Sequence, residues 1–178
     1  MTDRRHRGRF MLAALAAAAA LVAAGGEDFG FMPKGGRVLL VEVVGSAPAQ
    51  LGAVTQDQRT EAQWREFVDA QKKSLSDRER ATLAAYLAVN MPLVRPPQDA
   101  KALPRDGRDL AWEECQSCHS LFAGYLTQAR AAVGWRNMFL SPFHRQLKMT
   151  PQEREEFARY AEINMPLKVE DVPPDLRF

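Results

Sequence analysis

Cysteine is nearly missing from this chain: Cys115 and Cys118 are the only two among 178 residues. So few thiols exclude a disulfide scaffold, in which several bridges substitute for a core. Histidine is as scarce, with three. Charge of neither sign dominates, since 24 basic residues face 22 acidic ones. The 46% hydrophobic content is that of an ordinary globular protein and argues against disorder throughout.

Long apolar runs are also absent, with one exception near the start. Arg4, Arg5, Arg7 and Arg9 precede an apolar stretch from Phe10 to Ala24, after which small residues follow. That layout is a secretory signal peptide over residues 1–24, and the run falls short of the roughly 20 residues a spanning helix needs. Cleavage near Ala24 and a periplasmic destination are therefore expected, with retention as a membrane anchor the alternative. Removing the leader takes away four arginines and Asp3, which turns a formal +2 into about −1. No basic stripe of the kind that grips nucleic acid survives. His6 leaves with the leader, so the mature chain keeps His119 and His144 alone.

Both cysteines lie in "ECQSCHS" (residues 114–120), and the second runs directly into His119. Three chemistries compete for a C-x-x-C-H cluster. A redox dithiol should open a helix inside a strand-helix-strand unit, and the pattern shows no such unit. A structural zinc needs four ligands, and His144 stands too far along the chain from His119 for a finger-like spacing. Covalent haem attachment uses this very signal. Thiols three apart on a helical turn can reach two vinyl groups of one porphyrin, with the adjacent imidazole facing the iron, and the export signal is independently consistent with it.

At this motif the sequence resembles a c-type cytochrome with one haem c. The segments around it are mainly helical. "GRDLAWEECQSCH" reads as a short helix, with Leu110 and Trp112 inward, that ends at the attachment site. "LTQARAAVGWRNMFL" reads as helical apart from Gly134, up to Pro142. Thr150-Pro151-Gln152-Glu153 holds an N-cap hydroxyl, a proline at the first helical position and a glutamate that closes a capping box. The helix it starts runs to Ile163–Pro166 and buries Phe157, Tyr160 and Ala161 on one face. A helix into the motif, a ligand loop and a last helix with an aromatic face is similar to the class I cytochrome c fold. The resemblance implies that Cys115 and Cys118 hold the haem and that His119 is the proximal iron ligand.

The distal ligand stays open between residues of "NMFLSPFHRQLKMT". The family usually places a methionine here, and a thioether raises the reduction potential relative to a second imidazole. His144 lies closest to the usual position. Met149, directly before the cap, reads equally as an apolar staple. Met138 reads as core filler on a helix face. An open position is the fourth possibility.

A second pattern concerns the whole chain. The stretch from Trp64 matches that from Trp135: Ser76 with Thr150, Glu79 with Glu153, Tyr86 with Tyr160, and Asn90-Met91-Pro92-Leu93 with Asn164-Met165-Pro166-Leu167. The second copy carries three extra residues in its loop. On the offset of the tryptophans, Cys115, Cys118 and His119 fall on Val44, Ala47 and Pro48, so the first copy has neither thiol nor imidazole. The expected organisation is a haemless cytochrome-like repeat or docking domain at 27–95, a proline-rich linker at 96–106, a haem domain at 107–168 and an extended tail at 169–178. Within the first repeat, Arg37–Val44 is rich in β-branched residues and reads as a strand.

These readings together point to an exported monohaem electron carrier whose partners are redox proteins, as a subunit of a larger oxidoreductase complex or a companion to one. Membrane association follows only from an uncleaved leader. No acid-base pair, nucleophile or phosphate loop marks the chain as an enzyme by itself. A haem sensor or small peroxidase-like haem enzyme with an open or labile distal position is the alternative.

Overall fold

The computed structural model describes residues 30–71, 74–116 and 118–177. The expected leader at 1–24 lies outside them. Among the described residues the protein is mainly α, and no strand is present. The helices are α1 (Gly36–Val44), α2 (Pro48–Thr55), α3 (Glu61–Ala70), α4 (Asp77–Asn90), α5 (Gly107–Leu110), α6 (Ala132–Met138) and α7 (Pro151–Asn164). None of them is long and apolar enough by itself to cross a membrane.

The strand expected over Arg37–Val44 is instead helix α1. A strand there would present its amides and carbonyls to no neighbour, whereas a helix satisfies them internally. Valine costs a helix at most roughly 0.7 kcal/mol per residue. Burial of Leu39, Leu40 and Val43 offsets that, at about 1.5–3 kcal/mol for each fully buried side chain. Tertiary packing overrides local propensity.

Helix starts follow the side-chain chemistry more faithfully. Thr60, Ser76 and Thr150 cap α3, α4 and α7. At α7 the Glu153 amide donates to Thr150 Oγ1 at 3.2 Å, and the Thr150 amide donates to Glu153 Oε2 at 2.8 Å. The helix expected from Leu126 is shorter than its pattern, for α6 begins at Ala132 and includes Gly134. Upstream, the Arg130 carbonyl accepts the Trp135 indole N–H at 3.1 Å, and the Arg130 guanidinium lies over the Tyr125 and Trp135 rings. These contacts hold residues 127–131 as a loop.

The two stretches that match in sequence also exchange matching bonds. Tyr86 donates its hydroxyl proton to the Pro104 carbonyl at 2.8 Å, and Tyr160 donates to the Pro33 carbonyl at 2.7 Å. The Asn90 amide side chain reaches Glu156 across the interface at 3.1 Å, while that of Asn164 reaches Thr82 at 2.9 Å. Lys34 pairs with Glu42 and Glu79, and Arg105 pairs with Glu113 and Glu153. Reciprocal contacts of this kind are those of an approximate two-fold axis, here running between α4 and α7.

At that axis Glu156 is buried, accepting from the Gly107 amide at 3.1 Å as well as from Asn90. Burial, reinforced by the Asp106 charge, pushes its carboxyl up to about 8. It is therefore largely protonated at neutral pH. Asp109 is raised to about 6 for the same first reason, although its side chain also pairs with Arg37 at 2.9 Å.

Residues 96–106, expected as a linker, pack into the fold. Leu103 is buried, and Asp106 caps α5. The tail expected as extended winds into two 3-10 turns, Val169–Asp171 and Pro174–Leu176, with Val172 buried between them. Met32–Phe178 is one compact unit.

Candidate cofactor site

Helix α5 delivers the first thiol. Asp106 starts the helix, its Oδ1 accepting from the amides of Arg108 and Asp109 at 3.1 and 3.0 Å. Gly107 lets it cross closely over α7, since a β-carbon there would lie 2.1 Å from Tyr160 Cβ. The next turn, Ala111–Cys115, widens into a π-helical turn, a form frequent at functional positions.

Cys115 is buried at the end of that turn, with its thiol 3.5 Å from the Leu110 carbonyl. Burial first, and the Glu114 charge second, push this thiol up to about 12. A redox dithiol depends on a depressed pKa, and this environment does the reverse. Cys118, three positions on, is exposed.

Beyond the motif lies a cavity of about 400 Å³, within the range of small-molecule and cofactor sites. Cys115, Cys118, His119, Met138 and His144 all reach it, and Leu121, Tyr125, Phe143 and Leu147 supply apolar walls. Of the three candidate distal ligands, the structure therefore brings His144 and Met138 to the cavity. Met149 is buried but does not line it, in keeping with an apolar anchor before the Thr150 cap.

The two imidazoles lie close together at that cavity. Their ring centroids are 6.1 Å apart and their planes stand at 81°. Metal–imidazole bonds in proteins are about 2 Å long. Two such bonds in line, with the half-width of each ring added, place the centroids about 6 Å apart. One iron between the rings fits the observed spacing.

The tautomer of His144 is set by its neighbours. Nδ1 lies 3.1 Å from the Met138 carbonyl and 2.9 Å from Ser141 Oγ. A carbonyl can only accept, so Nδ1 carries the proton, and Nε2 keeps the lone pair that a metal needs. His119 Nδ1, by contrast, is buried without a hydrogen-bond partner among the described residues. Tyr125 holds that ring by contact instead, with centroids 4.9 Å apart.

Among the described residues, no three His, Cys, Asp or Glu side chains gather as a group that could hold a metal by themselves. A metal between His119 and His144 would need further ligand atoms, such as the four nitrogens of a porphyrin. No motif marks the walls or the His144 support: Tyr125, Phe143, Leu147 and Ser141 belong to no sequence pattern, and the serine's place three residues before His144 is the one local hint.

Comparison with protein families, curated proteins and solved structures finds no match to this chain.

Proposed function

We propose that this protein is an exported monohaem electron carrier of the c-type cytochrome kind, working as a subunit or partner of a periplasmic redox complex. The observation that carries this reading is the close pair His119 and His144, which lines a cavity that also receives both thiols of the C-x-x-C-H motif. Haem, when bound, supplies an iron that takes up one electron from a donor and passes one to an acceptor.

The chain's own residues do the rest. Cys115 and Cys118 would hold the haem as thioethers, each S–H adding across one vinyl group so that no oxidant would be consumed. Burial keeps Cys115 protonated and unreactive toward disulfide exchange before that step. His119 and His144 would each hold the iron through a ring nitrogen. Leu121, Tyr125 and Leu147 exclude water, and with two imidazole ligands they set the potential. The stretch 27–95, lacking thiols and imidazole, serves as a packing and docking partner for the haem-bearing half.

If both histidines hold the iron, the sensor or peroxidase reading would lack the open coordination site it needs. The test is spectroscopic. Protein purified from a periplasmic fraction should be coloured, should retain its pigment in acidified acetone, and should show a low-spin ferric spectrum without the weak red-end band of methionine ligation. The ferrous form should be slow to take up carbon monoxide. Colourless protein defeats the haem assignment, and prompt carbon monoxide binding with a high-spin resting state favours the sensor or enzyme.

A further inference from the structure

We propose that Ser141 is a positioning residue that fixes the ring plane of His144 nearly perpendicular to that of His119. This rests on the reading of two histidines on one haem iron.

His144 sits in a loop whose neighbours Phe143, Arg145 and Gln146 are exposed, so packing does little to orient its ring. Hydrogen bonds do it instead. Nδ1–H points between two acceptors, Ser141 Oγ at 2.9 Å and the Met138 carbonyl at 3.1 Å. Ser141 Oγ also accepts from the His144 amide at 3.3 Å, and the Ser141 amide donates to the same Met138 carbonyl at 3.3 Å. Ring, serine and the last residue of α6 are thus one knot. Turning the imidazole about its Cβ–Cγ bond would take Nδ1 out of reach of both acceptors. The Met138 carbonyl alone leaves the ring a hinge, and Ser141 is the second point that stops rotation.

The plane matters because an imidazole overlaps one of the two iron d orbitals of π symmetry, chosen by the direction of its ring. Parallel rings act on the same orbital and split the pair. Rings at 81° act on different orbitals and leave the pair nearly degenerate. In the ferric low-spin state, near-degeneracy gives an electron paramagnetic resonance spectrum dominated by one feature at low field. A split pair gives three separated lines.

The experiment compares frozen ferric holoprotein of the parent, Ser141→Ala and Ser141→Thr. The expected result is the single low-field feature in the parent, its replacement by three lines in Ser141→Ala, and its return in Ser141→Thr, which restores a hydroxyl. Ser141→Gly removes the same hydroxyl and stands in if the alanine variant does not accumulate. An unchanged low-field feature in the hydroxyl-free variants overturns the role of Ser141. Three lines in the parent overturn the perpendicular arrangement while leaving two-histidine ligation intact. A methionine band or a high-spin parent is a failure of the ligation reading itself, so the two are told apart in one series.

Discussion

The carboxylate of Asp106 occupies the space in which Gly35 would carry a β-carbon. Such a carbon would lie 2.0 Å from Asp106 Oδ2 and 2.2 Å from Oδ1. The two residues hold corresponding places, Gly35 before Gly36 and Asp106 before Gly107. The meeting point of the halves therefore has room for one side chain, and Asp106 serves both helices. Its Oδ1 caps α5, and its Oδ2 accepts from the Arg37 amide of α1 at 3.0 Å.

Asp106→Ala should destabilise the protein by about 2–4 kcal/mol, because it strips caps from two helices at about 1–2 kcal/mol each. Gly35→Ala should cost a comparable amount through the clash and the displaced carboxylate. Urea unfolding of both variants checks this. A loss of about 1 kcal/mol in Asp106→Ala, the value of a single cap, would count against the shared role.

The reciprocal tyrosines make a second expectation. Tyr86→Phe and Tyr160→Phe each remove one hydroxyl and leave a proline carbonyl without its donor. Each should lower stability by about 1–3 kcal/mol, and by similar amounts, because the two sites are equivalent in burial and geometry. Thermal unfolding would expose any inequality between them.

Stability should fall as pH rises from about 5 to about 8. The Glu156 carboxyl titrates near 8 in the fold against an ordinary value of 4.5. Between those values the folded protein holds a proton that the unfolded chain has released, so its contribution is present in full below the lower one and is lost as pH climbs to the upper. Asp109, raised to about 6, adds to the lower part of that window. The slope approaches roughly 1.4 kcal/mol per pH unit where the proton difference is complete. Glu156→Gln should flatten the curve and gain stability at the alkaline end. Parallel curves for parent and variant, in denaturant titrations across the window, would rule the carboxyl out as the cause.

Met149 and His144 should separate cleanly. Met149→Leu keeps the volume of a buried core residue, so it should cost under about 1.5 kcal/mol and leave the visible spectrum of the holoprotein unchanged. His144→Ala should convert the ferric form to high spin. A spectral change in Met149→Leu would move the distal assignment to the thioether.

Where the chain carries its own punctuation, the fold was legible in the sequence. The hydroxyl, proline and glutamate at Thr150, Pro151 and Glu153 announce α7, and its buried face, Phe157, Tyr160 and Ala161, follows from spacing alone. Arg37–Val44 misled because valine's preference is a small local term, and the burial that outweighs it comes from distant residues. The cavity shows the same limit. Cys115, Cys118 and His119 announce themselves by adjacency, and His144 stood among the candidates, but the close approach of the two imidazoles depends on a loop path that no short pattern encodes. The exchange of side chain for space between Asp106 and Gly35 was invisible for a similar reason. A glycine in sequence says that room is needed without saying for whom.

Helix α1 has no side-chain cap of its own, and its second amide is met by a residue that comes some seventy positions later in the chain. Translation therefore exposes residues 36–44 well before the group that seals their leading end has been made. A fragment stopped ahead of Asp106 would begin with a frayed helix, whereas one starting there would bring its own seal. Truncation should thus be tolerated unequally from the two sides, and the earlier-made portion is the dependent one.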